Sequence, residues 1–174
     1  GIKSILITSP VVDPQTITRV AQLARANPEL IVVVDHPVAV ARLEACLAQT
    51  QTTLKILIDI DPGLGRTGIA PTDALLALLQ VIERDCPHLV FFGLQTYAGH
   101  CMHIPELDKR KSKYQRALAA GAEARSIAEG AGYPVQLMSG GGTGSIDFEA
   151  ELGVLNELQA GSYAFMDIEY RDIE

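Results

Sequence analysis

The chain has 174 residues, 48% of them hydrophobic and 20% charged, enough to bury the core of one globular domain or of part of a larger one. A net charge of −7, with no basic stripe interleaved with aromatics, argues against a nucleic-acid surface. No apolar run approaches the roughly 18 residues of a membrane span, and Gly1-Ile2-Lys3 leads straight into a strand-like segment, so no membrane partner and no signal peptide are expected.

The pattern then alternates. Ser4–Thr8 reads as a strand, and Asp13-Pro14 opens a helix with Ile17, Val20 and Ala21 on its apolar stripe, ending at Asn27-Pro28. Leu30–Asp35 is a continuous apolar strand, His36-Pro37 opens a second helix, and Leu54–Asp61 is the third strand. Pro71-Thr72-Asp73 starts a third helix, Leu89–Tyr97 is the fourth strand, and a long helix runs from about Glu106 to Gly130. Val135–Met138 is the fifth strand, a short helix covers Asp147 to Val154, and Glu157–Tyr163 is the sixth strand.

Buried-type strands joined by helical crossovers imply a parallel sheet, either open and doubly wound or part of a (β/α)8 barrel. Polar or glycine-rich residues follow every strand: Asp35-His36, Asp61 to Gly68, Tyr97 to His103, Ser139 to Ser145, and Gly161 to Tyr163. Such residues around the whole set favour a barrel with its site at the strand C-terminal ends. Six strands do not close eight. About six of eight strands are therefore expected in residues 1–174, with the first barrel strands in sequence outside them.

Ser139-Gly140-Gly141-Gly142-Thr143-Gly144-Ser145 directly follows the fifth strand and has the composition of a phosphate cradle, in which glycines let backbone N–H groups converge on an anion. Gln159-Ala160-Gly161-Ser162-Tyr163 repeats the design, a strand-like run and then Gly-Ser. The alternative is that these glycines only reverse the chain. In Asp59-Ile60-Asp61-Pro62-Gly63-Leu64-Gly65-Arg66-Thr67-Gly68, a glycine-punctuated turn presents Arg66 either to a ligand oxygen or to Asp59 or Asp61, pinning the turn. Tyr97, at a strand end, suits a flat cofactor ring or is a rim aromatic.

His100 and His103 have an H-x-x-H spacing without an evident third ligand, so no metal site is assigned to these residues. Three cysteines, Cys46, Cys86 and Cys101, share no metal-type spacing and fit a reducing cytoplasm. No base is spaced to make Cys101 a nucleophile. Lys3, Lys55, Lys109, Lys111 and Lys113 all lie away from C-terminal strand ends, where a Schiff-base lysine would be needed.

Four segments together, Asp61 to Gly68, Gly93 to His100, Ser139 to Ser145 and Glu157 to Tyr163, resemble the D-threonine aldolase and D-serine dehydratase-like family, which has the alanine-racemase-type fold of pyridoxal-phosphate enzymes (fold type III). The resemblance implies a (β/α)8 barrel of the alanine racemase N-terminal type, followed by a β-rich C-terminal domain, in a monomer or homodimer. It implies that Arg66 approaches pyridoxal 5'-phosphate and that Tyr97 lies beside the pyridine ring. It assigns the phosphate to Ser139, Gly140, Gly141, Gly142, Thr143, Gly161 and Ser162, with Tyr163 adjoining. Gln159 falls where racemases place an arginine facing the pyridine nitrogen. The Schiff-base lysine and the ligands of a divalent metal (Mn, Mg or Zn) belong, by family pattern, to segments outside this sequence, so no catalytic residue is named and these residues alone are expected to be inactive. The implied reaction of the whole protein is retro-aldol cleavage of a D-3-hydroxy amino acid to glycine and an aldehyde. Dehydration in the manner of D-serine dehydratase, a non-catalytic pyridoxal-phosphate carrier, and a phosphosugar barrel stand as alternatives.

Overall fold

Asp13 shows how this sequence starts its helices. In the computed structural model, which describes residues 2, 4–165 and 168–171, its carboxylate accepts from the amides of Gln15 and Thr16 at 3.0 and 3.1 Å, and Pro14 occupies the first turn of α1 (Pro14–Ala26). His36 does the same with its ring: Nδ1 accepts from the Val38 amide ahead of α2 (Pro37–Thr50). Thr72 caps α3 (Asp73–Asp85) through the Ala74 amide. The helices continue with α4 (Leu107–Gly130), α5 (Ile146–Leu152) and α6 (Ile168–Arg171).

Between the helices run β1 (Ile5–Ile7), β2 (Leu30–Val34), β3 (Leu54–Asp59), β4 (Leu89–Thr96), β5 (Leu137–Gly140) and β6 (Glu157–Leu158). They pair in chain order, all parallel. A flat sheet of this size would hold its edges roughly 24 Å apart. Here Leu6 and Thr8 at one edge line the same cavity as Glu157 and Leu158 at the other. The sheet is therefore curled: six strands of a partial (β/α)8 barrel, not an open doubly wound sheet.

The two faces of the strands divide the labour. Val32, Val34, Ile56, Ile58, Leu94 and Met138 point outward, fully buried under Leu43, Leu47, Leu75 and Leu79 of the helices. Each such side chain contributes about 1.5–3 kcal/mol when buried, so the outer layer carries most of the stability. The inner face has a smaller apolar floor, Ile31, Val33 and Leu57, with Leu6, Phe92 and Leu137 against it. A register shift between β3 and β4 at Ile56/Leu57 sets Gly93 opposite Leu57. Gly93 has to be glycine, because a Cβ there would sit 1.9 Å from the Leu137 carbonyl oxygen.

Two strands differ from the sequence expectation. β5 lies two residues later than Val135–Met138, because Ser139 and Gly140 still pair with Gln95 and Thr96. β6 is limited to Glu157–Leu158 rather than reaching Tyr163. Its partner ends at Gly140, whose carbonyl takes the last bond from the Gln159 amide at 2.8 Å, and Ser162–Ala164 then forms a 3-10 turn. The short helix begins one residue early and stops at Gly153, whose φ of 64° is left-handed.

Candidate active site at the strand ends

The inner face turns polar one row above the apolar floor. Strand register aligns Asp59, Gln95, Ser139 and Glu157 across β3 to β6. They are bonded side to side: Gln95 Nε2 donates to Asp59 Oδ1 at 2.9 Å, and Ser139 Oγ donates to Glu157 Oε1 at 2.7 Å. Gln159, one row higher, bridges the halves, its Nε2 donating to Gln95 Oε1 at 2.8 Å and to Ser139 Oγ at 3.0 Å. Gln95 also donates to the Thr8 carbonyl at 3.0 Å, which ties β4 to the end of β1. Asp59 is 3% exposed, and this burial raises its carboxyl above the usual range despite hydrogen bonds from Gln95 and Thr67.

Above this row lies a cavity of about 540 Å³, lined by Thr8, Ser9, Arg66, Tyr97, Gln159 and Ala160 among others, within the roughly 300–1,000 Å³ of small-molecule sites. The turn from Asp61 to Gly68 delivers Arg66. Asp61 Oδ1 gathers the amides of Gly63, Leu64 and Gly65 at 2.8–3.0 Å, and Asp59 Oδ2 takes the Thr67 hydroxyl at 2.7 Å. Both carboxylates are thus engaged within the turn, and Arg66 makes no salt bridge among the described residues. Its guanidinium instead lies 5.2 Å from the centre of the Tyr97 ring, on the cavity wall. Arg66 thus forms no salt bridge with Asp59 or Asp61, although its charge still favours the ionised Asp59.

The two glycine turns meet. The Tyr163 amide donates to Thr143 Oγ1 at 3.1 Å, so they lie side by side at one rim. Among the described residues, the amides of Thr143, Gly144, Gly161 and Ser162 donate to no protein acceptor. A Cβ at Gly161 would meet nothing within 4 Å. Donors without acceptors beside open space form a site suited to an anion.

Three expected cradle residues serve otherwise. Ser139 and Gly140 belong to β5; the Ser139 hydroxyl is consumed by Glu157 and Gln159, and Gly140 lies where a Cβ would be 2.1 Å from the Thr96 carbonyl oxygen. The Gly142 amide is bonded to Ser145 Oγ at 3.1 Å. These residues shape the turn; between them Gly141, whose φ of 67° is left-handed, has an amide that donates to no described acceptor, as do those of Thr143 and Gly144. Sequence reasoning saw Asp59 only as a possible partner of Arg66 and missed Gln95 and Glu157, which share its row of strand register, and Thr8, which joins them through its carbonyl just past β1.

Beneath the first turn, Glu149 is 5% exposed, and neither oxygen makes a hydrogen bond of good geometry. Tyr114, fully buried, stands beside it, its hydroxyl likewise unbonded. Burial raises the Glu149 carboxyl, and burial with the neighbouring Glu149 pushes the Tyr114 phenol upward. Cys101 is also buried, which raises its thiol. His103 packs on Tyr170 with ring centres 4.6 Å apart. Among the described residues no three His, Cys, Asp or Glu side chains gather as a metal site. Lys55 pairs with Glu29 at 2.8 Å and Lys111 with Glu151, while Lys3 lies outside the described residues. No helix among the described residues is long and apolar enough to cross a membrane.

The family model described as alanine racemase, N-terminal domain, matches residues 2–169. The chain belongs to this family. Within it, the 3-hydroxy-D-aspartate aldolase of Paracoccus denitrificans (strain Pd 1222) is 39% identical over 170 residues, 98% of this chain and 44% of that protein. The D-threonine aldolase of an Arthrobacter species is 36% identical over 170 residues, with the same shares. The crystal structure of D-threonine aldolase from Filomicrobium marinum matches with a TM-score of 0.93 at 33% identity, over 99% of this chain and 46% of that one. This alanine racemase-type domain thus spans less than half the length of these relatives, and the family read from its four motifs is the one found.

Proposed function

We propose that these residues form the cofactor-binding part of a pyridoxal-phosphate-dependent lyase that cleaves D-3-hydroxy amino acids to glycine and an aldehyde. The observation that carries this reading is the junction of the two glycine turns, with unbonded amides at Thr143, Gly144, Gly161 and Ser162, the second turn following directly from Gln159 and Ala160 on the wall of the cavity that Arg66 and Tyr97 also line. Both aldolases named above support the reaction class.

The residues fit the group. The four amides would bind the phosphate dianion by hydrogen bonds from the main chain. Arg66 supplies a positive charge beside Tyr97, suited to an oxygen anion on the cofactor ring. Tyr97 offers a ring face to the ring, and Gln159 a polar edge within the same cavity. When bound, pyridoxal phosphate stabilises the negative charge left on the α-carbon as the Cα–Cβ bond breaks. The lysine that would hold it, the divalent metal and the β-rich domain are assigned to sequence flanking residues 1–174, in a cytoplasmic monomer or homodimer; the unpaired state of Cys46, Cys86 and Cys101 suits that compartment.

The test is product analysis. The protein with its flanking sequence, supplied with pyridoxal phosphate and Mn²⁺, is incubated with D-threonine and with 3-hydroxy-D-aspartate. Glycine plus an aldehyde is expected. Ammonia and a 2-oxo acid would instead mark a dehydratase, and retained cofactor without turnover a carrier.

A further inference from the structure

Among the described residues two carboxyl side chains are buried, Asp59 and Glu149, and they differ in what holds them. Both oxygens of Asp59 accept hydrogen bonds, Oδ1 from Gln95 and Oδ2 from the Thr67 hydroxyl, so a proton settling there would displace a donor. Both oxygens of Glu149 are shut off from solvent without a bond of good geometry, and a proton can settle on either at no such loss. Glu149 also lies under the first glycine turn. A Cβ on Gly141 would be 3.2 Å from Glu149 Oε2 and 3.2 Å from Ser145 Oγ, and that hydroxyl is bonded to the amide and the carbonyl of Gly142 at 3.1 Å. The carboxyl thus backs the stretch whose amides at Gly141, Thr143 and Gly144 donate to no described acceptor. The same turn reaches the cavity wall, since a Cβ on Gly142 would be 3.7 Å from Cε2 of the Tyr97 ring. The titratable groups around Glu149 are few. From α4 comes Tyr114, with Arg110 one turn earlier donating to the Ile104 carbonyl, and Cys101 stands near Tyr114 from the turn after β4. From β6, Glu157 is turned to Ser139. On α5 itself Asp147 and Glu151 are exposed, and Glu151 pairs with Lys111. Burial, Tyr114 and Ser145 act on the Glu149 carboxyl, and no described cation is among them.

Resting on the reading of the glycine turns as a phosphate site, we infer that Glu149 is the proton partner of that site: a dianion held on the unbonded amides of the first turn is bound together with one proton, taken from water onto the Glu149 carboxyl. An ionised Glu149 would set a negative charge behind the amides that the dianion faces, in surroundings where like charges repel more strongly than in water. One proton removes that repulsion, and it settles on a group whose burial already favours the neutral acid. Carboxylate, proton and dianion become neutral acid and occupied site, with no bond of the ligand made or broken. The occupied protein therefore keeps this proton to a higher pH than the empty one. Between those two pH values the bound state carries more protons than the free one, so affinity falls as pH rises. Retention of a phosphate-bearing ligand is thereby tied to pH through a residue beneath the site.

The test compares wild type with Glu149→Gln, both full-length and freed of cofactor. Each is titrated calorimetrically with pyridoxal phosphate, and at saturating concentrations with pyridoxal, which has the ring without the phosphate, across the pH range in which both proteins stay folded. A wild type that binds neither ligand overturns the pyridoxal-phosphate reading and this inference with it. At the acid end the two proteins are expected to bind pyridoxal phosphate alike. As pH rises wild type is expected to fall behind until it binds about ten-fold more weakly, the scale of one charge repelling another across a partly polar interior. In the window between, buffers of different ionisation heat are expected to report a proton taken up by wild type and not by Glu149→Gln. The ionisations of the ligand itself are common to both proteins and cancel in the ratio. Pyridoxal is expected to show no divergence between them. Parallel pH curves for pyridoxal phosphate, with binding intact, overturn this inference alone. Equal divergence with pyridoxal also overturns it, since Glu149 would then act on the ring site or the fold rather than on the phosphate. Glu149→Met, similar in size and without charge, makes the same comparison where Glu149→Gln does not melt cooperatively.

Discussion

Glu149 is a carboxyl group kept from water, with Tyr114 and Ser145 beside it but in poor hydrogen-bond geometry, and that has a measurable consequence. Burial raises its proton affinity in the fold. From the ordinary value of 4.5 upward, the folded state therefore holds more protons than the unfolded one, and stability falls as pH rises through that window. Glu149→Gln removes the ionisation. In the full-length protein it is expected to melt above wild type at pH values over this window and level with it below. The gain appears only as the carboxyl ionises and grows with the upward shift, about 1.4 kcal/mol for each pH unit by which burial raises it. Asp59, also raised, is present in both proteins and cancels in the difference. Melting curves across pH decide it: a constant gap would show that Glu149 carries its charge without cost. The composition hides this residue, since Asp147-Phe148-Glu149-Ala150-Glu151 reads as the solvated flank of a short helix, whereas the fold leaves Glu149 only 5% exposed.

Among the elements, the two turns separate glycines needed by the fold from those needed by a ligand. A Cβ at Gly144 would lie 2.3 Å from the Met102 carbonyl oxygen, a main-chain atom that cannot rotate away. Gly144→Ala is therefore expected to cost about 3 kcal/mol or more. Gly161 has an ordinary φ of −142° and open space before it. Gly161→Ala is expected to leave the melting temperature unchanged and weaken pyridoxal-phosphate binding about ten-fold, or 1.4 kcal/mol. Calorimetry with cofactor titration reads both, and the reverse pattern would move the anion site away from this junction. The turns themselves were legible because their chemistry is contiguous: four glycines and three hydroxyls in one stretch, then Gly161-Ser162 after the next strand. The polar row beneath was not. Gln95 and Asp59 are 36 residues apart, and Gln95 and Gln159 64, so their alignment depends on strand register, including the shift at Ile56/Leu57. The strand ends were misjudged for a related reason: β6 stops where its partner stops, a fact of pairing rather than of composition.

At the scale of the molecule, β1 and β6 are edges of an otherwise closed hydrogen-bonding pattern. Near them Ile5 and Leu158 are 41% exposed and Phe165 is 95% exposed. Unpaired strand edges with apolar neighbours template association. The 174-residue polypeptide on its own is expected to self-associate, as light scattering would show, and a cooperatively melting monomer would contradict that. The curled architecture was legible from the alternation of elements and from polar residues after every strand, because parallel crossovers leave few other arrangements.

The first strand touches the polar network through a peptide oxygen, not through a side chain. Replacing Thr8 with any other residue leaves that oxygen in place, so point substitution at this position cannot silence it. A slip of β1 by one residue would turn it away. The way Gln159 presents its amide to the cavity therefore doubles as a readout of assembly: it is set when the first and fourth strands have come together in register, and a barrel closed wrongly would announce itself in the cavity wall.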